Sequence, residues 1–292
     1  MAQPYIPPCQ QSVIGAQPCP RAAGEEISTS RKRWTLAACT LASSMAFIDG
    51  SAITVALPAL REDFAADLAS VQWVLNGYVL ALAALTLIGG ALADAYGKAR
   101  MLAIGCALFG AASIGCALAP GPSFLITARI AQGVAAALLT PASLALIGAV
   151  YPKEERSAAI GVWAAASALT GAGGPILGGW LTETFGWPAI FWLNPPLALI
   201  VIAILFKTNL KEKTAKAAFD YVGATLLAAA LMALAYALSE IGPGEGSGEA
   251  GGGSSAIGWI GPAAAVGLAL LVAYGLWERR TDHPMTPPRL FA

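Results

Sequence analysis

Histidine is nearly missing from this sequence: His283, close to the C-terminal end, is the only one among 292 residues. A zinc site built on imidazoles and a Ser-His-Asp triad are thereby close to excluded. Cysteine adds little. Cys9, Cys19, Cys39, Cys106 and Cys116 fall in the polar N-terminal stretch or inside apolar runs, and their spacing makes no metal or disulfide pattern. They read as small apolar residues or simple thiols. No Gly-Lys phosphate loop and no nucleophile-base pairing is visible, so an enzyme reading has little support and no cofactor is expected. Charge is the scarcest property. Only 12% of residues are charged, about half the ordinary globular share, against 57% apolar and a mean hydropathy of +0.66. With 17 basic and 17 acidic residues the formal net charge is zero, which removes the basic excess that nucleic-acid binding uses.

What the sequence has instead is long apolar runs. Nearly uncharged stretches lie at Trp34 to Leu57, Val71 to Leu92, Met101 to Ala119, Phe124 to Val150, Ala158 to Thr182, Ala189 to Phe206, Val222 to Leu238 and Ile257 to Trp277. Each is long enough to cross about 30 Å of hydrocarbon as a helix, which gives about eight spans. In lipid the backbone must satisfy itself, so these are helices despite their glycines and β-branched residues. The fold class expected is an all-α polytopic membrane protein.

The connecting segments test that count. If the spans alternate in direction, fifteen of the 17 basic residues fall on one side, Arg61 alone falls on the other, and Arg129 lies within a span. The positive-inside rule then puts both termini of the chain in the cytoplasm. The expected organisation is a polar, disordered tail over 1–33, a helical bundle over 34–206, a basic cytoplasmic linker over 207–218, a further helix pair over 219–278 and a cytoplasmic segment over 279–292. Gly242 to Ser255, rich in Gly, Ser and Glu, reads as a flexible outer loop.

An internal repeat is the most informative local feature. Gly89-Gly90-Ala91-Leu92-Ala93-Asp94-Ala95-Tyr96-Gly97 ends the second span, and Gly178-Gly179-Trp180-Leu181-Thr182-Glu183-Thr184-Phe185-Gly186 ends the fifth. Four positions are identical, acid matches acid, and aromatic matches aromatic. The second and fifth spans exit on opposite sides, so the same segment recurs upside down, as in transporters built from inverted three-helix repeats.

With these segments in view, the chain from Trp34 onward resembles the major facilitator superfamily. Gly90 through Asp94 and Gly97 to Lys98 and Arg100 resembles its signature between the second and third helices, with Ala95 and Ala99 where a basic residue is usual. Asp49 followed by Ala52 to Pro58 is similar to the first-helix motif of the fourteen-helix drug/proton antiporters, and Arg129-Ile130-Ala131-Gln132-Gly133 to their fourth-helix motif. Gly174-Pro175-Ile176-Leu177-Gly178-Gly179 resembles the fifth-helix antiporter motif, with Thr170 in place of a glycine. Trp187 to Pro196, Phe219-Asp220 with Gly223, and Trp277 to Phe291 fit the same branch. The resemblance implies a six-helix N-terminal bundle of two inverted repeats plus two additional helices, in a bacterial plasma or inner membrane. It implies multidrug efflux by secondary active export of small amphipathic compounds in exchange for protons. Gly90, Asp94, Gly97, Lys98 and Arg100 would then form the cytoplasmic gating element, with Gly90 permitting close helix approach and Gly97 a tight turn.

Charge inside lipid costs at least a few kcal/mol unless paired or wetted, so it marks where chemistry belongs. Asp49 and Arg129 are the two charges placed there. At 1.5 Å per residue both lie roughly 9 to 12 Å below the outer surface, on helices running in opposite directions. A salt bridge or a shared water cavity would serve a proton-coupling route, and a pair that merely locks two helices is the simpler alternative. Gly174, Pro175, Gly178 and Gly179 make the fifth helix thin and bendable, for gating or for close packing. Among Trp73, Asn76, Tyr78, Gln132, Trp163 and Trp180, Asn76 and Gln132 are the residues assigned to a substrate cavity.

Length qualifies the resemblance. The fourteen-helix carriers have a second six-helix bundle, whereas this sequence ends after the additional pair, at Ala292. A fragment, an interrupted frame or half of a split transporter is expected, with the C-terminal half as partner. The alternative is a truncated membrane subunit that transports nothing.

Overall fold

The computed structural model describes residues 27–208, 220–241, 253–278 and 280–281. Most of the expected N-terminal tail, the basic linker, the glycine-rich loop and the C-terminal segment with His283 lie outside the described residues. Among those described, the regular structure is helical: α1 (Thr29–Asp63), α2 (Leu68–Tyr96), α3 (Lys98–Ala117), α4 (Pro122–Val150), α5 (Lys153–Phe185), α6 (Pro188–Trp192), α7 (Asn194–Thr208), α8 (Tyr221–Ile241) and α9 (Gly253–Glu278). Seven helical segments, α6 and α7 counted together, are long and apolar enough to cross a membrane, and a shorter apolar helix covers Val222–Ala237. The chain is an all-α, multi-pass membrane protein.

Helices extend past the apolar runs at several ends, α5 beginning at Lys153 and α9 at Gly253, within the segment expected as a loop, and two differences bear on the site. The first helix starts at Thr29 rather than at Trp34, because Ser28 caps it by accepting from the Arg31 amide and the basic turn continues the helix past its apolar part. The sixth span is not one helix. It breaks at Leu193, and Pro195 and Pro196, which have no amide hydrogen to give to the preceding turn, start α7 afresh from Asn194.

Glycine sets how closely the bundle packs. α2 lies along α4, where a Cβ on Gly89 would overlap the Ala137 carbonyl and one on Gly133 would come within 2.5 Å of the Tyr78 carbonyl oxygen. α5 lies along α1 in the same manner, and a Cβ on Gly178 would stand 2.7 Å from Ala52 Cβ. Exchanging α1–α3 with α4–α7 turns one of these pairs into the other. Gly97 (φ +101) and Gly186 (φ +84), which hold the same place in the repeat, both cap their helices in the left-handed region. α3 packs on α7, and α8 and α9 form a pair whose α8 rests on α2.

Within the α1–α7 bundle the interior is divided in two, apart from a small cluster of Ala91 and Ala224 where α8 meets α2. One apolar cluster gathers Ala42, Met45, Tyr78, Phe109, Ala135, Leu139 and Ala198. The other gathers Ala52, Ile53, Val74, Cys116, Leu125 and Phe191. Along α1, α3, α4 and the α6–α7 break, the chain passes from one cluster to the other at Asp49, Ser113, Arg129 with Gln132, and Asn194 respectively. A polar layer therefore crosses the bundle between two apolar ones.

Candidate functional site

The polar layer draws Asp49 from α1, Ser113 from α3, Arg129 and Gln132 from neighbouring turns of α4, and Asn194 from α7. Asp49 is 1% exposed, and Arg129, Gln132 and Ser113 are fully buried, as is Asn194 at 1%. Arg129 Nη1 donates to Asp49 Oδ2 in a close ion pair and to Gln132 Oε1 at 2.6 Å. Arg129 Nε donates to the Val74 carbonyl at 3.2 Å, which ties α4 to α2. Nη2 has no hydrogen-bond partner among the described residues. The guanidinium lies 4.2 Å from the Tyr78 ring centroid and 5.7 Å from that of Phe191, so π faces supply part of what hydrogen bonds do not.

The second carboxylate oxygen is held by amides. Asp49 Oδ1 accepts from Gln132 Nε2 and from Asn194 Nδ2, both at 2.8 Å. The same two nitrogens donate to Ser113 Oγ, at 2.7 and 2.9 Å. Cys116 Sγ approaches Gln132 Oε1 at 3.6 Å, and the Tyr78 hydroxyl donates to the Ala46 carbonyl at 3.3 Å. Without partners an ion pair stripped of water loses more than it gains. Here the carboxylate takes three donors, which offsets the desolvation of the acid.

The structure brings together Asp49, Arg129 and Gln132 of the residues singled out in the sequence. Gln132 is sealed inside the bundle as a ligand of both charges. Asn76 is half-buried on α2. A cleft of about 630 Å³ opens between α2 and α4 on one side and α8 and α9 on the other, lined by Trp73, Gly77, Ile130, Met232, Tyr236 and Val266 among others. Trp73 stacks on Tyr236 there, with ring centroids 5.7 Å apart.

At the α2–α3 turn, Asp94 pairs with Lys98 at 3.0 Å, Gly97 takes its positive φ, and Arg100 is exposed. Of the two neighbouring glycines Gly89 makes the tighter approach to α4, while a Cβ on Gly90 would stand in ordinary contact with Pro141 of the same helix, at 3.6 Å. On α5, Gly174 and Gly178 face α1, Gly179 makes ordinary contact with Val55, and the helix runs unbroken through Pro175. Ser113 and Asn194 were missed. A lone serine in an apolar run carries no signal, whereas Asn194 directly before two prolines marked a helix break with a polar side chain at it.

The comparisons agree with this architecture. Residues 39–229 match the Major Facilitator Superfamily, and the chain belongs to that family. It is 36% identical to the puromycin resistance protein of Streptomyces alboniger over 264 residues, covering 90% of this chain and 50% of that one. The lincomycin resistance protein of Streptomyces lincolnensis is 35% identical over 276 residues, covering 92% of this chain and 54% of that one. Multidrug resistance protein Stp of Mycobacterium tuberculosis is 37% identical, over 88% of this chain and 47% of its own. The chain thus spans about half the length of the curated relatives it matches. In fold it is similar to a bacterial homologue of the lysosomal transporter Spinster in an inward-facing, occupied conformation, with TM-score 0.56 at 21% identity over 72% of this chain and 52% of that one. The family and these relatives are transporters.

Proposed function

We propose that this chain is the N-terminal part of a secondary exporter of small amphipathic compounds, driven by proton exchange in a bacterial cell membrane. The observation that carries the reading is the Asp49–Arg129 pair, sealed between two apolar clusters in a hydrogen-bonded network that draws on five helical segments, α1, α2, α3, α4 and α7. A proton on Asp49 cancels its charge and leaves Arg129 with Gln132 Oε1, the Val74 carbonyl and two rings. The electrostatic hold between α1 and α4 then weakens, and each pH unit changes the balance by about 1.4 kcal/mol. That suffices to bias inward-open against outward-open states.

The resistance names of the relatives support export of drug-like molecules. The one-sided distribution of Lys and Arg supports cytoplasmic termini for the chain. On α5, Leu169 and Ile176 are more than 70% exposed, which suits a face covered by lipid or by a C-terminal half. The half-length match also favours a second reading, a membrane subunit whose motifs are idle.

Vesicles containing this chain, alone and together with the C-terminal half of the puromycin resistance relative, separate the two. Under an imposed pH gradient, the proposal expects export of a fluorescent amphipathic cation in at least one preparation, lost in Asp49→Asn. Absence of export in both supports the idle subunit.

A further inference from the structure

The hydrogen-bond accounting around Asp49 singles out one of its partners, and this step rests on the proton-coupling reading above. Both hydrogens of the Gln132 carboxamide and both hydrogens of the Asn194 carboxamide are directed at the same two atoms, Asp49 Oδ1 and Ser113 Oγ. A carboxylate oxygen met by two N–H donors has no place for a proton, since its hydrogen would point at theirs. Oδ2 faces Arg129 Nη1, a group with no acceptor atom. For Oδ1 to be the oxygen that takes the proton, one of its two donors must give way.

Gln132 is not free to do so. Its Oε1 accepts from Arg129 Nη1 at 2.6 Å, and turning the carboxamide would press an NH₂ group against the guanidinium. Asn194 makes its described bonds through Nδ2 alone, and it stands at the first residue of α7, directly after the break at Leu193. Its other neighbour, Ser113, has a hydroxyl that donates as readily as it accepts.

We propose that Asn194 is the positioning residue that admits the proton: as Asp49 Oδ1 takes a proton from hydronium, which leaves as water, the Asn194 carboxamide turns over, its oxygen accepts the new O–H, and Ser113 changes from accepting to donating. One O–H bond forms as one breaks, and the Asn194 NH₂ gives up both of its acceptors, Asp49 Oδ1 and Ser113 Oγ. The turn links the protonation of α1 to the α6–α7 break. The charged and titratable groups that face Asp49 are Arg129 from α4, Tyr78 from α2 and Cys116 from α3. α5 carries its own near its ends, at Lys153 to Arg156 and Glu183, and α7 has only Lys207 in its last turn.

The test uses the full chain in lipid nanodiscs and two spectroscopic readouts. The infrared band of the protonated Asp49 carboxyl, identified by its loss in Asp49→Asn, is followed against pH. In parallel, the side-chain amide of Asn194 is followed by NMR in an Asn76→Gln/Asn209→Gln chain labelled at asparagine, where Asn194 is the one asparagine left. The Asn194 signal is expected to change at the pH at which the carboxyl band rises. Asn194→Leu removes a donor to the carboxylate and is expected to move that pH upward by about one unit, a tenfold gain in proton affinity. Asn194→Ser, whose hydroxyl can also reverse, is expected to stay nearer the wild type. An Asn194 amide that is unmoved while Asp49 protonates, or an unchanged midpoint in Asn194→Leu, overturns this role and leaves proton coupling intact. A carboxyl band that appears at no pH at which the chain stays folded overturns both.

Discussion

Separating the two buried charges by mutation gives the sharpest energetic test. Asp49→Asn leaves Arg129 as a cation between two apolar clusters, still in contact with Gln132 Oε1, the Val74 carbonyl and the Tyr78 ring. Arg129→Leu leaves a carboxylate with its two amide donors and no counter-ion. Removing one partner of a buried pair costs about 3–5 kcal/mol, while replacing both is often close to neutral. The surviving hydrogen bonds place Asp49→Asn near the lower end, about 3 kcal/mol. The double variant Asp49→Asn/Arg129→Leu is expected to lie nearer the wild type than either single, with a coupling energy of about 2–3 kcal/mol from the cycle. Reversible unfolding in mixed micelles across the four chains measures it. Additive singles would refute an energetically coupled pair.

Other outcomes follow from the packing. Gly178→Val and Gly89→Val should each destabilise by about 1–3 kcal/mol in the same unfolding assay, since the added atoms meet backbone of the facing helix. Gly161→Ala and Gly173→Ala, which open onto empty space, should be neutral or stabilising by up to about 1 kcal/mol. Trp187→Phe removes the 2.9 Å indole bond to Asp63 that ties the α6 end to α1, and should cost about 1 kcal/mol. The Asp67 carboxyl is held below the ordinary aspartate range by its hydrogen bonds to Ser70, so its capping of α2 is present above the unfolded value and lost as pH falls through the folded one. Amide exchange at Ser70 should accelerate, relative to intrinsic rates, on that acid side, and Asp67→Ala should abolish the pH dependence.

Much of this was legible in the sequence, for physical reasons. Lipid tolerates neither charge nor unpaired backbone, so helical class and seven of the eight expected spans follow from composition and position, the eighth being the shorter apolar helix Val222–Ala237, as does the prominence of Asp49 and Arg129. Their contact was foreshadowed by equal depth on opposed helices, but depth says nothing about rotation. Rotation also decides that Gly89, rather than its neighbour Gly90, makes the tightest approach to α4: neighbours on a helix lie about 100° apart, and only packing settles which one is pressed against the facing backbone. Ser113 and Asn194 stayed hidden because small polar side chains barely change hydropathy. Their importance arises from the meeting of α3 and α7, which are distant in sequence. Pro195 and Pro196 held the clue to the break in the sixth span, which reads as continuous when judged by hydropathy alone.

Proton flux measured alongside substrate flux decides whether the buried acid is the coupling site. In vesicles holding the chain with a C-terminal half, an outward substrate load should move protons inward in the wild type, whereas Asp49→Asn should exchange labelled for unlabelled substrate and move none. Proton movement undiminished in Asp49→Asn would contradict the assignment outright.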